Sequence, residues 1–151
     1  MSSTTEVDID LLVATQLQKI KQRYTSNRRR LVSILRSSSK PLTTNQIIEA
    51  DTELAQSSVY RNLAVLEEAG SVVRIITHDD HARYELAEHL TEHHHHVICS
   101  QCGEIADFHL SDNVERTLEA SLQEVADQFN FAVDNHRLDL IGTCISCNNG
   151  T

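Results

Sequence analysis

Four cysteines, arranged as two Cys-x-x-Cys pairs, constrain the fold of this 151-residue chain more than any other feature. The pairs are Cys99 with Cys102 and Cys144 with Cys147. Each such turn can present two thiolates to one ion, and two turns complete the tetrahedral shell that zinc prefers. We therefore predict a structural zinc ion that ties the end of the chain to its middle. Free thiols or a redox pair are the alternatives.

The chain shows no apolar leader and no stretch long enough to span a bilayer. It is therefore expected in the cytoplasm, without a membrane partner. Disulfides are rare in that compartment, which favours metal ligation by the cysteines.

Charge is distributed unevenly along the chain. The net charge is −9, yet the first 86 residues are balanced and the rest of the chain carries the acidic excess. From Lys19 to Lys40 there are eight basic residues and no acidic one, a stripe that suits a phosphate backbone. The contrast predicts two domains, 1–86 and 91–151, joined by a hinge at 87–90.

The first domain has the pattern of a winged helix-turn-helix. Apolar residues at helical spacing are followed by a β-branched run, a polar turn and a second alternating segment. Two short helices followed by a hairpin are typical of this fold. The predicted elements are helices over 8–22 and 27–37, a short helix from Thr43 or Thr44 to Ala50, a helix over 57–69, and strands over 71–77 and 83–86.

The second domain is predicted to be a small α/β unit, which makes the whole chain α+β. A long amphipathic helix is flanked by segments that alternate as strands do. The predicted elements are strands over 92–99 and 104–108, a helix over 112–128, and a strand over 131–141.

The helix over 57–69 is the predicted recognition helix, because the N-terminal end of this helix enters the major groove in helix-turn-helix proteins. Arg61 could read guanine or contact phosphate, and Tyr60 could contact phosphate or a thymine methyl group. Core packing is the alternative for Tyr60, and a solvated helix face is the alternative for the arginines of the preceding helix. The predicted DNA-contacting residues are Ser57, Ser58, Tyr60, Arg61, Asn62, Arg28 and Arg29.

Four consecutive histidines, His93 to His96, precede the first cysteine pair. Neighbouring side chains of a strand face opposite sides, so His93 and His95 would point one way and His94 and His96 the other. One strand could thus serve two metal sites, and a solvated polar strand is the alternative. The remaining ligands must come from elsewhere, and the candidates are Glu85, His89, Glu115 and His136.

The motifs resemble those of the ferric uptake regulator (Fur) family, in collinear order from about Thr25 to Cys147. The resemblance implies a homodimeric repressor of metal homeostasis that binds operator DNA, expected to be an inverted repeat, when loaded with a divalent metal. The matching segments are Ser57-Ser-Val-Tyr-Arg-Asn-Leu63, Tyr84-Glu-Leu86, the histidine run with Val-Ile-Cys-x-x-Cys, and Asn135-His136 with the closing cysteine pair.

The resemblance also implies a role for each ligand. Glu85, His94 and His96 match a metal-sensing site between the domains, and Cys99, Cys102, Cys144 and Cys147 match a structural zinc site. His93, His95, Glu115 and His136 match an additional site in the dimerisation domain.

The chain departs from the family pattern at the fourth sensing ligand. Many iron-type members place a histidine before the helix-turn-helix, where this chain has Pro41, and zinc-type members often place a cysteine before the histidine run. We expect His89 to complete the site, with His81 as the second choice. A site of imidazole and carboxylate without thiolate favours Fe(II), with Zn(II) or Mn(II) as alternatives.

Two other classes of function remain open at the level of sequence. His and Glu clusters can hold catalytic zinc, but the chain has no His-Glu-x-x-His motif and no nucleophile arrangement, which argues against a metal-dependent hydrolase. The other class is a zinc-ribbon protein-interaction module, whose basic half would bind an acidic partner.

Overall fold

The structure is a computed structural model that describes residues 2–77 and 79–149. Helices and a first sheet make up the N-terminal half, and a second sheet with one long helix makes up the C-terminal half. The elements are α1 (Ser2–Lys19), α2 (Ser26–Ser37), β1 (Leu42–Thr43), α3 (Thr44–Ala50), α4 (Gln56–Glu68), β2 (Val72–Ile76), β3 (Ala82–Leu86), a 3₁₀ turn (Glu88–Leu90), β4 (His95–Cys99), β5 (Ile105–Phe108), α5 (Asp112–Gln128), β6 (Asp139–Gly142) and α6 (Ile145–Asn148).

The N-terminal half confirms the predicted winged helix. Helices α2, α3 and α4 pack around Leu31, Ile47 and Leu63, all fully buried, and α1 adds further apolar side chains to the same core. Burial of this apolar surface is the main stabilising contribution to such a core. The first sheet has the antiparallel order β1-β3-β2, and the β2–β3 hairpin is the wing.

Local signals in the sequence set where these helices begin and end. The Thr25 hydroxyl accepts the Arg28 amide hydrogen at the start of α2, and Thr43 and Gln46 form a capping box at the start of α3. Gly70 has a φ of +82°, as expected after the C-terminus of α4.

Helix α1 differs from its predicted range of 8–22, because it begins at Ser2 and ends at Lys19. Lys21 adopts a left-handed φ of 59°, and the Gln22 amide donates to the Leu17 carbonyl at 2.9 Å. This closing bond reverses the chain after Lys19 and prevents the helix from continuing.

The C-terminal half is a three-stranded sheet of order β5-β4-β6. Strand β4 pairs with β5 antiparallel and with β6 parallel, so it is the central strand. The predicted helix over 112–128 matches α5 at both ends.

The predicted strand over 131–141 is wrong in its first part, since only residues 139–142 are in a strand. Parallel pairing starts where His96 of β4 lies beside Asp139, and β4 itself begins at His95. Residues 131–138 therefore precede the paired segment, and Phe131 and Val133 are exposed.

Much of the apolar surface of the C-terminal half is uncovered in the single chain. Helix α5 buries only Ala126 among its apolar residues. Exposed large apolar side chains of this half include Val97, Val114, Val125, Phe129, Leu140 and Ile141. An apolar surface of this kind is typical of a protein interface.

The two halves contact each other through the wing. Ile75 of β2 forms a small buried cluster with Ile98 of β4 and Ile105 of β5. The 3₁₀ turn links the halves covalently, and Leu90 in this turn is buried in the N-terminal core. None of the helices within residues 2–77 and 79–149 has the length and apolar character needed to cross a membrane.

Candidate metal centres

The two cysteine pairs meet at one point. All four Sγ atoms lie within 4.8 Å of one another, and Cys102 Sγ is 3.8 Å from Cys144 Sγ. Sulfur atoms bound at about 2.3 Å to a tetrahedral zinc ion are about 3.8 Å apart. The spacing of the group is therefore close to that of a tetrahedral zinc site.

Thiol acidity in this group also suits a cation. Backbone amides, above all those of Cys102 and Cys144, lower the pKa of the Cys99 thiol to about 6. Hydrogen bonds with the sulfur atoms of Cys144 and Cys102 raise the pKa of the Cys147 thiol to about 12. Four adjacent thiolates repel one another, so their joint ionisation requires a cation such as zinc.

A second group lies where the two halves meet, and we call it the junction cluster. It consists of Glu85 from β3, His94, His96 from β4, and Asp107 from β5. Glu85 Oε2 is 3.1 Å from His94 Nε2 and 3.0 Å from His96 Nε2. Asp107 Oδ1 lies 3.5 Å from His96 Nε2.

The junction cluster contains a buried acceptor without a donor. Asp107 Oδ1 is buried and has no hydrogen-bond partner, and burial raises the pKa of this carboxyl group. A buried carboxylate oxygen without a partner is costly, and coordination to a divalent cation would remove this cost. Two carboxylates facing two imidazoles therefore fit a divalent ion.

Surrounding groups orient the imidazoles so that their Nε2 atoms face the centre of the cluster. His94 Nδ1 can donate to the Glu92 carbonyl oxygen at 2.9 Å, and Asp139 Oδ1 is 3.6 Å from His96 Nδ1. Hydrogen bonding at one ring nitrogen leaves the other free to bind a metal.

Without a metal, protons bind where an ion would bind. Burial alone would raise the pKa of Glu85, but the imidazoles of His96 and His94 outweigh it and lower that pKa. Burial alone would lower the pKa of His94, but the Glu92 carbonyl and Glu85 raise it. Since a metal must displace the imidazole proton, acidification below the raised pKa of His94 weakens metal binding.

A third group lies on the opposite side of β4, as the alternation of side chains predicts. Glu115 of α5 accepts at Oε1 from His93 and His136, both at 2.8 Å, and at Oε2 from His95 at 2.9 Å. The imidazole of His95 is the largest of several causes that lower the pKa of Glu115 to about 2. His95 Nδ1 is buried without a partner.

The structure brings most, but not all, of the predicted ligands together. Each cysteine lies in one group, Glu85 joins His94 and His96, and Glu115 joins the remaining three histidines. His89 is outside the junction cluster, because its Nε2 atom is 2.6 Å from Gln16 Nε2 of α1. His81 is exposed at the tip of the wing.

Asp107 takes the place at the junction cluster that we expected His89 to fill. Sequence reasoning missed it, although a signal was present. The Cys99–Gly103 turn joins two antiparallel strands, and this pairing places Asp107 directly across from His96. Pairing the residues on either side of the turn, one by one, would have placed the Asp107 carboxylate opposite His96.

The predicted DNA-contacting residues divide into exposed and buried ones. Ser57 and Arg61 are exposed at the N-terminal end of α4, Ser58 is half-buried, and Tyr60 is half-exposed with its hydroxyl 3.1 Å from Thr44 Oγ1. These positions leave Arg61 and Tyr60 accessible to a nucleic acid.

Asn62 requires a correction, because it is only 7% exposed. Arg28 Nε donates to Asn62 Oδ1 at 2.9 Å, and the Asn62 amide donates to Ser58 Oγ at 3.0 Å. These bonds hold α4 against α2 and engage the Asn62 side chain within the protein, which is not the free side chain that the predicted DNA contact requires. Arg28 is correspondingly engaged within the protein.

The basic stripe is also less free than the sequence suggests. Arg29 lies over the Tyr24 ring at 4.2 Å and 3.8 Å from Asp10. Arg30 pairs with Asp51 and Glu53. Acidic residues distant in sequence therefore neutralise part of the stripe.

A winged helix whose junction with a second sheet carries histidines and carboxylates defines a class of metal-responsive DNA-binding proteins. Comparison with known proteins identifies the family. Residues 19–141 match the ferric uptake regulator family, and the chain belongs to it. It is therefore a metal-responsive, DNA-binding transcriptional repressor and not an enzyme.

Individual relatives support this assignment. A peroxide-responsive repressor of Staphylococcus saprophyticus is 31% identical over 137 residues, which cover 88% of this chain and 87% of the relative. The ferric uptake regulator of Helicobacter pylori, described as having three functional metal-binding sites, has a TM-score of 0.71 and 26% identity, with 95% and 93% of the chains covered. The manganese-bound ferric uptake regulator of Pseudomonas aeruginosa has a TM-score of 0.68 and 25% identity, with 87% and 96% covered.

The cysteine geometry predicts that Cys99→Ser removes one corner of the tetrahedral site. We expect purified protein to lose its zinc, as measured by elemental analysis, and to unfold at a lower temperature. Gln101→Ala, an exposed change in the same turn, serves as the control and should keep both properties. A Cys99→Ser protein with a full zinc complement would contradict the site.

The unpaired Asp107 oxygen predicts that Asp107→Asn weakens divalent-ion binding at the junction cluster by at least about tenfold. The amide keeps the size of the side chain but loses its charge. Calorimetric titration with Mn(II) measures the effect, and Asp127→Asn, an exposed change on α5, is the matched control. Equal affinities of the two variants would exclude Asp107 as a ligand.

Proposed function

We propose that this chain is a homodimeric repressor that binds an inverted-repeat operator when a divalent ion fills the junction cluster. The main support for the proposal is that the four ligands come from both halves of the chain. Glu85 belongs to the sheet that contains the wing. His96 and Asp107 belong to the second sheet, and His94 directly precedes its strand β4. An ion bound to all four joins the residues proposed as the DNA-binding domain, 1–86, to those proposed as the dimerisation domain, 91–151.

Such an ion would act through the geometry of the dimer. The ion favours the arrangement in which Glu85 meets the imidazoles, and it shifts the population toward that arrangement only through its higher affinity for it. In a dimer, the same arrangement would set the distance between two recognition helices. Operator half-sites one helical turn apart accept only a defined spacing.

The proposed dimer partner is a second copy of the chain. The exposed apolar side chains of α5 and of the outer strand β6 form a surface without a partner in the single chain. Their position on one half suits a self-complementary interface. This interface would leave the N-terminal end of α4 free for DNA.

For the regulatory ion we propose Fe(II), with Mn(II) and Zn(II) as alternatives. Among the described residues, the junction cluster offers two imidazoles and two carboxylates and no thiolate. Oxygen and nitrogen ligands accept all three ions, and the absence of sulfur makes zinc less favoured than in a cysteine site. The thiolate group is proposed to hold structural zinc.

The third group, around Glu115, is proposed as an additional metal site that stiffens the C-terminal half. Glu115 comes from α5, His95 from β4, His93 from the residues just before β4, and His136 from the segment before β6. An ion would therefore connect three parts of one half. The three metal-binding sites described for the Helicobacter pylori protein are consistent with this proposal.

A peroxide response is a second candidate function. The Staphylococcus saprophyticus relative is a peroxide-responsive repressor, and a cavity of about 250 Å³ beside His94 and Asp107 gives small molecules access to the junction cluster. Fe(II) reacts with peroxide, whereas Mn(II) is far less reactive. Peroxide should therefore abolish DNA binding of the iron-loaded protein and spare the manganese-loaded protein if this function is correct.

The metal-sensing proposal predicts that His96→Ala abolishes metal-dependent DNA binding. The probe is a duplex selected from a random pool by the manganese-loaded wild-type protein, and anisotropy measures its binding with and without Mn(II). His89→Ala removes an imidazole outside the cluster and is the matched control, which should respond to metal as the wild type does. Undiminished metal dependence in His96→Ala would refute the proposal.

The recognition-helix proposal predicts that Arg61→Ala weakens binding of the same duplex by about 1–3 kcal/mol. Arg116→Ala removes an equal charge from α5, far from the proposed DNA surface, and should have little effect. Equal losses in both variants would indicate a general electrostatic effect instead. A wild-type protein that does not retain an inverted-repeat duplex in a salt-sensitive, metal-dependent way would favour a protein-interaction module.

A further inference from the structure

The tip of the wing contacts the second half of the chain. Arg83 is buried and forms a two-pronged ion pair with Asp79, both N–O distances being 3.0 Å. Arg74, the other arginine of the hairpin, is paired with Glu67 of α4 at 3.8 Å. Asp80 is exposed beside them, whereas both arginines are held in ion pairs.

The Asp79 carboxylate lies directly against Gly103 in the cysteine turn. Gly103 is buried with a φ of +74°, and a Cβ atom at this position would overlap the Asp79 carboxylate. Only glycine accepts both this backbone conformation and this contact. The contact joins the wing tip to the residue that follows Cys102.

A second contact between the same elements is apolar. Ile75 of the wing is 2% exposed and packs against Ile98 and Ile105, which flank the cysteine turn in β4 and β5. The next residue, Ile76, is 64% exposed. At this end of the wing strand, Ile75 therefore faces the second sheet and Ile76 faces solvent.

We propose that the wing is a strut that couples the cysteine turn to the DNA-binding half. The turn carries Cys99 and Cys102, so its conformation depends on whether zinc holds the thiolates. The wing strand β2 follows α4 after a single turn, so displacement of the wing displaces the recognition helix. The part of the inference that concerns zinc rests on the proposed structural zinc site.

Coupling of this kind is reciprocal, which makes it measurable in the zinc-loaded protein. Weakening the wing contact should loosen the cysteine turn, although the changed residue lies in the other half of the chain. Two matched pairs of variants isolate the contact. Ile75→Ala and Ile76→Ala delete the same atoms from opposite faces of one strand, and Asp79→Asn and Asp80→Asn each remove one charge from the wing tip.

Amide hydrogen exchange over residues 99–105 and the rate of zinc transfer to a chelating dye measure the state of the turn. We expect Ile75→Ala and Asp79→Asn to accelerate both by about fivefold or more, and the two controls to match the wild type. Equal rates across all four variants would overturn the strut. Circular dichroism verifies the fold, and Ile75→Val, a smaller deletion, should give an intermediate rate if Ile75→Ala unfolds.

Failure of the strut is distinguishable from failure of the zinc site. A wild-type protein that contains no zinc refutes the proposed structural site. The exchange measurement still decides whether the wing protects the turn, since the contacts of Ile75 and Asp79 involve no metal. Faster exchange in these two variants alone supports the strut in either case.

Discussion

The carboxylate of Glu85 lies beside the imidazoles of His94 and His96 at the junction of the two sheets. The proposed response to metal depends on this contact between the two halves of the chain. Glu85 is held in β3 by the antiparallel pairing of the wing, and His96 by the central strand of the second sheet. A second carboxylate, Asp107, enters the same space and raises the local negative charge. A divalent cation would balance this charge and bind residues from both halves, whereas protons on the imidazoles balance it only in part.

Strand β4 makes the arrangement possible because it serves three groups. In β4 and the two residues before it, the side chains of His94 and His96 lie on one side and those of His93 and His95 on the other. The last residue of β4 is Cys99. Its parallel partner β6 is preceded by His136 and followed by Cys144. A shift of one residue in this register would exchange the two sides of β4. The proposed sensing, additional and zinc sites are thus mechanically connected through one short strand.

Features set by short-range chemistry could be predicted from the sequence. The ends of α5, the capping of α3 by Thr43, and the spacing of the cysteine pairs all rest on interactions within a few residues. The division of the histidines between two groups followed from the alternation of a strand, and the structure bears this out even though His93 and His94 precede β4.

Features that depend on distant partners could not be read in the same way. The 131–138 segment alternates like a strand but has no neighbouring strand beside it, and Arg30 meets Asp51 and Glu53 only after folding. His89 looked like a ligand because it lies near the histidines in sequence, yet Gln16 of the first helix is beside it. Asp107 belongs to no motif, and only the pairing of β4 with β5 across the cysteine turn places it opposite His96.

X-ray absorption spectroscopy can show whether a divalent ion binds at the junction cluster, because it resolves the environments of two different metals in one protein. The sample is the zinc-containing protein titrated with one equivalent of Mn(II). At the manganese edge we expect oxygen and nitrogen neighbours with the outer-shell scattering of two imidazole rings, and at the zinc edge four sulfur atoms near 2.3 Å. Manganese with no imidazole scattering, or with sulfur in its shell, would contradict the claim that a divalent ion joins the halves at Glu85, His94, His96 and Asp107.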